Sequence, residues 1–189
     1  MAVIFLNGCT SAGKSSIAHA LQQRAETPHL LTGIDDGFAM LAPRLHNHPD
    51  GFFFDRDARG AVRLNFGAAG RAALHAHQQA AAAIAASGVD LILDEVILSP
   101  DLLEAWRGCL AGVDTFWVGV HCDLEELERR EIARGDRVPG QARGQFALVH
   151  EDLDYDFEVD TTHTPAGVCA AEILKAKAAR GEAAGRARA

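Results

Sequence analysis

The stretch NGCTSAGKSS, residues 7–16, decides the fold of this chain. An apolar run, AVIFL at 2–6, precedes it, and a predicted helix at 15–25 follows it. The pattern G-x-x-x-x-G-K-S at 8–15 matches the loop that binds phosphate groups between a strand and a helix. Its glycines allow backbone N–H groups to point inward, and the helix N-terminus adds partial positive charge. The stretch therefore predicts a nucleoside triphosphate site.

The motif also assigns roles to individual residues of this loop. Lys14 is expected to reach the β- and γ-phosphates, and the Ser15 hydroxyl is expected to bind Mg²⁺. Lysine is scarce elsewhere, since only Lys175 and Lys177 occur besides it. We therefore expect ATP and Mg²⁺ as cofactors. The residues expected to bind the nucleotide are Gly8, Cys9, Thr10, Ser11, Ala12, Gly13, Lys14, Ser15 and Ser16.

Apolar runs and helical segments alternate along the rest of the chain. Strands are predicted at 2–6, 29–34, 89–96, 114–122 and 156–162. Helices are predicted at 15–25, 67–87, 124–134, 141–150 and 165–179, with another that starts near residue 99. This alternation is typical of an α/β fold, in which helices cover both faces of a parallel sheet.

The domain organisation is expected to be simple. We predict a single domain over 1–180, with a lid near 130–140 and an acceptor-side segment near 41–66. The acceptor-side segment contains a predicted β-hairpin closed at 58–60. The tail at 181–189 is predicted to be frayed.

Charge and composition exclude several classes of protein. A formal net charge of −8 argues against a nucleic-acid binder, which needs a basic surface for phosphates. No apolar run approaches the length of a membrane span, so we expect a cytoplasmic protein with no membrane partner. The 4 cysteines are scattered without a paired spacing, which disfavours a zinc or disulfide framework.

Acidic residues follow two of the predicted strands. Asp35 and Asp36 end the second strand, beside the expected position of the γ-phosphate, where a carboxylate can accept the proton of an attacking hydroxyl. Helix capping is the alternative role for either one. We assign Asp35 as the base, because it directly follows the strand, whereas Asp36 begins the helical turn and can cap it. Asp94 ends the next strand, where a ligand for Mg²⁺ is needed.

A cluster of arginines lies in the predicted lid. Arg129 and Arg130 have glutamates four residues before them, a spacing that stabilises an exposed helix. Arg134 and Arg137 are predicted to lie past the helix end without such partners. Arginines there can close over the phosphates and offset the charge that develops during transfer, so we predict a catalytic role for both.

Five strings together resemble the chloramphenicol phosphotransferase family from about residue 3 to residue 175. They are LNGCTSAGKSS, GIDDGFAML, LILDEVIL, FWVGVHCDLEELERREIARGDRVPGQA and VHEDLDYDFEVDTTHTPAGVCA. The last two are more specific than the phosphate loop alone, since their order and spacing separate this family from other kinases. The position after Asp35 and the segment 41–66 match more loosely than the rest.

The resemblance implies an ATP-dependent kinase of the nucleoside-monophosphate-kinase-like group with a five-stranded parallel sheet. Its reaction is phosphoryl transfer to the primary hydroxyl of chloramphenicol. The family's base falls on Asp35, and its lid arginines fall on Arg134 and Arg137. The loop formed by Asp160, Thr161 and Thr162 is expected to border the adenine ring.

The acceptor is the least specified part of this interpretation. Phe52, Phe53, Phe54 and Phe66 are apolar enough to receive an aromatic substrate, and core packing explains most of them equally well. One alternative is a kinase of the same fold that acts on a sugar acid, a shikimate-like alcohol or a nucleotide sugar. Another is a nucleotide-dependent regulatory or toxin-like protein. The sequence contains no indication of the oligomeric state.

Overall fold

The structure is a computed structural model that describes residues 2–135 and 137–186. Its strands are β1 (Val3–Asn7), β2 (His29–Gly33), β3 (Phe52–Arg56), β4 (Val62–Phe66), β5 (Asp90–Glu95), β6 (Thr115–His121) and β7 (Phe157–Asp160). Its helices are α1 (Lys14–Arg24), α2 (Ile34–Ala39), α3 (Ala68–Ala86), α4 (Pro100–Cys109), α5 (Leu124–Arg134), α6 (Gln141–Phe146) and α7 (Ala166–Arg186).

Five of the strands form one parallel sheet with the order β2-β5-β1-β6-β7. β1 lies at the centre, and Leu6 is in register with Asp94 of β5 and Val118 of β6. Because all strands run in the same direction, their carboxyl ends meet at one edge of the sheet, where ligands bind in such folds. The loop after β1 and Asp94 therefore lie side by side.

Alternate residues of β1 enter two cores, one on each face of the sheet. Ile4 and Leu6 belong to the core that also contains residues of α1 and α7. Val3 and Phe5 belong to the core formed with α3 and α4, where Phe5 lies edge-on to Trp106 at 5.2 Å between ring centroids. Burial on both faces explains why β1 reads as a continuous apolar run. The predicted α/β fold, with a five-stranded parallel sheet covered on both faces, is confirmed.

The remaining two strands form the predicted hairpin, an antiparallel pair separate from the main sheet. Its turn contains Gly60 with a φ of 82°. Phe52 of the hairpin stacks on Phe38 of α2, with ring centroids 4.5 Å apart. The hairpin therefore packs beside α2, close to the carboxyl edge of the main sheet.

Some predicted boundaries are wrong. β2 ends at Gly33, so Asp35 and Asp36 lie in the first turn of α2 rather than at the end of the strand. α7 continues to Arg186, because its alanine-rich sequence favours a helix and Gly181 alone does not end it. The remainder of the predicted tail, 187–189, lies outside the described residues. None of the described helices is long and apolar enough to cross a membrane.

Candidate active site

The loop between β1 and α1 is held tightly against β6. A Cβ atom on Gly8 would lie 2.4 Å from the carbonyl oxygen of Val120, so this position accepts only glycine without a shift of the backbone. Ser11 and Gly13 adopt positive φ values of 62° and 85°, which turn the chain before Lys14 begins α1. The glycines of the motif are thus required by the close approach to β6 and by the final turn.

Lys14, Ser15 and Asp94 form a connected group at the mouth of this loop. The buried Lys14 Nζ donates to the carbonyl oxygen of Cys9 at 3.0 Å and lies 3.7 Å from Asp94 Oδ1. Ser15 Oγ donates to Asp94 Oδ2 at 2.6 Å. The structure therefore brings together the lysine that is predicted to bind phosphate and both predicted metal ligands.

The residues present fit a triphosphate and its magnesium ion. Ser11 Oγ is buried and has no hydrogen-bond partner among the described residues, which leaves a polar atom for a phosphate oxygen inside the loop. Mg²⁺ prefers oxygen ligands and is typically bound by one or two protein groups together with phosphates and water. Ser15 and Asp94 supply such oxygens. Within residues 2–135 and 137–186 there is no group of three or more His, Cys, Asp or Glu that could hold a metal alone.

The two neighbouring aspartates of α2 have different partners. Asp36 Oδ2 accepts hydrogen bonds from Thr32 Oγ1 at 2.9 Å and from the backbone N–H of Gly33 at 3.0 Å, so Asp36 caps the helix. Asp35 is paired with Arg137, whose Nη2 lies 2.6 Å from Oδ2 and whose Nη1 lies 3.4 Å from Oδ1. Asp35, and not Asp36, therefore contacts Arg137 of the predicted lid.

The predicted lid near 130–140 begins within α5. Arg134 is the last residue of α5, so the prediction that it lies past the helix end is wrong. Gly135 has a φ of 70°, which ends the helix and redirects the chain towards Arg137. Arg137 lies beyond the helix as predicted, although its partner is Asp35 of a distant element.

Arg130 has a contact that its local spacing did not indicate. It pairs with Glu126, as the spacing of four predicts, and its Nη2 also donates to the carbonyl oxygen of Thr161 at 2.6 Å. Thr161 Oγ1 in turn donates to the carbonyl oxygen of Ala12 in the phosphate loop at 2.8 Å. Arg130 thereby joins α5 to the loop predicted to border the adenine ring.

A cavity of about 820 Å³ contains most of the predicted site residues. Around it lie Lys14, Ser15, Asp94, Asp35, Arg134 and Arg137, together with Thr10, Ser11, Gly13 and Ser16. Phe38, Phe52, Phe54, Leu64, Val96 and Val138 form an apolar part of the wall. Phosphate-binding groups, the proposed base and an apolar surface therefore share one space.

Other predicted residues lie elsewhere. Gly8 and Ala12 belong to the loop but do not line the larger cavity. Cys9 and Asp160 line a separate cavity of about 280 Å³. Hydrogen bonds from Thr162 hold the pKa of Asp160 below its ordinary value, and burial raises the pKa of the Cys9 thiol to about 12. Phe53 and Phe66 do not line the larger cavity, and Phe66 packs against Phe38.

Two glutamines of α6 also line the larger cavity, and the sequence analysis did not single them out. Gln145 Oε1 accepts a hydrogen bond from the backbone N–H of Thr10 at 2.7 Å, so α6 supports the phosphate loop directly. Gln141 lies one turn earlier on the same helix and is also buried. Their spacing of four residues, which places both on one helix face, was the signal available in the sequence.

Comparison with known proteins agrees with this geometry. A family model described as chloramphenicol phosphotransferase-like protein matches residues 1–178. Two proteins from strains of Mycobacterium tuberculosis, named "Putative O-phosphotransferase MT2714" and "Putative O-phosphotransferase Rv2636", are each 35% identical to this chain over 179 residues. Each alignment covers 90% of this chain and 80% of the relative.

Several solved structures with a similar fold are named as kinases. The Mycobacterium tuberculosis APS kinase CysC in complex with AMPPNP and APS has a TM-score of 0.66 and 17% identity, covering 92% of this chain and 95% of that one. A gluconokinase from Sinorhizobium meliloti has a TM-score of 0.63 and 18% identity, covering 96% and 94%. Shikimate kinase from Acinetobacter baumannii has a TM-score of 0.60 and 14% identity, covering 94% and 93%. At these identities the likeness shows the fold.

Proposed function

Because the chain belongs to the chloramphenicol phosphotransferase-like family, we propose that this enzyme transfers the γ-phosphate of MgATP to a hydroxyl of a neutral, aromatic small molecule, with chloramphenicol as the leading acceptor. The family shows that the protein is a phosphotransferase, and the structural neighbours show that it has the fold of small-molecule kinases. The identity of the acceptor and the roles of individual residues are the proposal.

The observation that carries the proposal is the shared cavity. Lys14 and the Ser15–Asp94 pair lie at one part of its wall, and Asp35 with Arg137 lies at another. A hydroxyl that enters between them meets both the phosphate-binding groups and a carboxylate. This arrangement suits transfer of a phosphoryl group to an alcohol, in which positioning and charge stabilisation supply most of the catalysis.

The charge of the cavity wall favours a neutral acceptor. Among its described lining residues the only Lys or Arg side chains are Lys14, Arg134 and Arg137, and all three are assigned to the phosphates or to Asp35. A sugar acid or nucleotide sugar would bring a negative charge that needs a further cation. The opposite wall instead presents aromatic rings, with Phe52 edge-on to Phe54 at 6.1 Å between centroids. Apolar rings of this kind suit an aromatic acceptor.

In the proposed reaction, Asp35 accepts the proton of the acceptor hydroxyl while the hydroxyl oxygen forms its bond to the γ-phosphorus and the bond to the ADP oxygen breaks. Asp35 Oδ1 is the more weakly held carboxylate oxygen, at 3.4 Å from Arg137 against 2.6 Å for Oδ2, and is assigned to the hydroxyl. Lys14, Arg134 and Arg137 offset the negative charge on the phosphoryl oxygens. Mg²⁺, held by Ser15 with Asp94, supplies further neutralisation of that charge when bound.

The test is direct detection of the product. Wild-type protein incubated with ATP, Mg²⁺ and chloramphenicol is expected to yield singly phosphorylated chloramphenicol by mass spectrometry. The Lys14→Ala variant is the matched control and should yield little product. Efficient phosphorylation of gluconate or shikimate, with none of chloramphenicol, would reject the neutral aromatic acceptor. Tight ATP binding with no acceptor-dependent turnover across a panel of alcohols would instead favour a regulatory protein.

A further inference from the structure

We propose that the side-chain amide of Gln141 determines acceptor specificity, by accepting a hydrogen bond from an N–H or a second O–H of the acceptor. This inference rests on the proposed function, since it specifies which polar group of the acceptor is recognised in the same cavity. Gln141 is 6% exposed and lines the larger cavity. Its Oε1 is fully buried, and no described residue donates a hydrogen bond to it. A buried acceptor without a donor is costly, so its retention points to a partner from outside the chain.

The backbone around Gln141 is fixed by hydrogen bonds of residues 140, 141 and 142. The buried carboxylate of Glu131 accepts hydrogen bonds from Gly140 N at 2.7 Å and from Ala142 N at 2.9 Å. The N–H of Gln141 itself donates to the carbonyl oxygen of Val138 at 3.2 Å. These bonds hold both neighbours and the residue itself in place. The backbone that carries the amide is therefore positioned in advance, which lowers the entropy cost of binding a ligand.

The neighbouring Gln145 shows what a glutamine with a structural role looks like at this site. Its Oε1 is satisfied inside the protein by the N–H of Thr10. The two glutamines share a helix face and line the same cavity, yet only Gln145 has its oxygen bonded to another residue of the described chain. Gln145 supports the phosphate loop, and Gln141 is left for the substrate.

The surroundings of Gln141 define the class of acceptor. α6 packs against β4, whose Leu64 lines the cavity together with Phe54 of β3 and Val138. A ligand that reaches Gln141 therefore has an apolar or aromatic body with a polar donor on it. The structure assigns to this site an aromatic alcohol that also carries an amide N–H or a second hydroxyl, and it disfavours aromatic alcohols that lack both.

The experiment compares two acceptors that differ in one group. N-acetyl-phenylalaninol carries an acetamido N–H beside its one hydroxyl, and 3-phenyl-1-propanol lacks only the acetamido group and has no second hydroxyl. Calorimetry in the presence of Mg²⁺ and AMPPNP should show that wild-type protein binds the first about tenfold more tightly, the expected effect of one satisfied buried hydrogen bond. Gln141→Met keeps the length of the side chain and should abolish this preference by weakening only the first compound. The exposed Gln79→Met variant is the control and should behave as wild type.

Thermal stability separates substrate recognition from a structural role. Since Gln141 Oε1 has no described partner to lose, Gln141→Met should melt at the same temperature as wild type or higher. A lower melting temperature, equal weakening of both compounds, or a wild-type protein that does not distinguish them would each overturn the inference. Phosphoryl transfer is measured separately on both compounds. Discrimination in binding without transfer would reject the proposed function and leave the role of Gln141 intact.

Discussion

Replacing Asp35 and Asp36 one at a time by asparagine tests the proposed base most sharply, because the two residues are adjacent and have different partners. Asp35 is paired with Arg137, whereas Asp36 is bonded to Thr32 and to the N–H of Gly33. Asparagine keeps the shape of aspartate and removes its basicity. The same chemical change is therefore made at a proposed catalytic position and at a capping position one residue away.

In Asp35→Asn, the expected loss of catalysis is much larger than the expected loss of stability. A positioned base contributes on the order of 10²–10⁴-fold, or roughly 3–5 kcal/mol of transition-state stabilisation. The Asp35–Arg137 pair is largely exposed, with side-chain exposures of 62% and 28%, so its loss should cost about 0–1 kcal/mol of stability. For a chain of 189 residues that corresponds to a fall in Tm of at most about 4 °C. Reduced folding therefore cannot imitate the expected loss of rate.

The assay is ATP turnover coupled to ADP release, with saturating acceptor, together with calorimetric MgATP binding. Asp35→Asn should lower kcat by roughly 10²–10⁴-fold with MgATP affinity nearly unchanged. Asp36→Asn should lose far less than a hundredfold in kcat, because asparagine can still accept one capping hydrogen bond. The reverse pattern would move the base to Asp36. Full activity in both variants would refute the carboxylate base altogether.

Three further predictions concern the loop, the lid and a buried acid. Lys14→Ala should sharply weaken MgATP binding and turnover, because the buried Nζ faces the phosphate site; unchanged affinity by calorimetry would contradict this. Arg134→Ala should depress kcat more than it weakens ATP binding, if the guanidinium acts mainly in the transition state; a change confined to Tm would make it structural. Burial raises the pKa of Glu95 from 4.5 to about 7, so the folded protein holds this proton more tightly than the unfolded chain. Stability should therefore fall as pH rises between these two values, by up to about 3 kcal/mol, and Glu95→Gln should flatten that fall. Denaturant unfolding of wild type and Glu95→Gln at mildly acidic and mildly alkaline pH measures the free energy of unfolding of each protein. The same change with pH in both proteins would show that Glu95 is already ionised in the folded state.

The fold could be predicted because it depends on patterns within short stretches. The continuous apolar run of β1 indicates a strand buried on both faces, and the glycine loop after it indicates which helix follows. The boundary between β2 and α2 was missed because Ile34 is apolar and extends the strand pattern by one residue. In the structure the helix begins at Ile34, and Asp36 caps it through a local hydrogen bond from the backbone N–H of Gly33.

The candidate site was predictable to the extent that its residues lie at motif positions. Lys14 and Ser15 were proposed from the phosphate-loop motif, and Asp35 and Asp94 were proposed from predicted strand ends. The structure places all four around one cavity. The link from Arg130 to Thr161 joins residues 31 positions apart, and no spacing rule indicates such a contact. The oxygen of Gln141 is distinguished only by the absence of a described partner, which is a property of packing.

The segment from Arg130 of α5 to Gln145 of α6 contacts both the phosphate loop and the proposed base. From α5, Arg130 reaches Thr161 beside the phosphate loop, and Gln145 of α6 holds Thr10 from the other side. Between them, Arg137 holds Asp35. Substitution of Arg130, Gln145 or Arg137 therefore affects the phosphate loop or the proposed base, so these three positions have little freedom to change with the acceptor. The hairpin β3–β4 and Gln141 do not bond to the phosphate loop in the described chain, and they can vary without disturbing it. Acceptor choice should lie with these residues, in or facing the segment 41–66, where resemblance to the family is loosest.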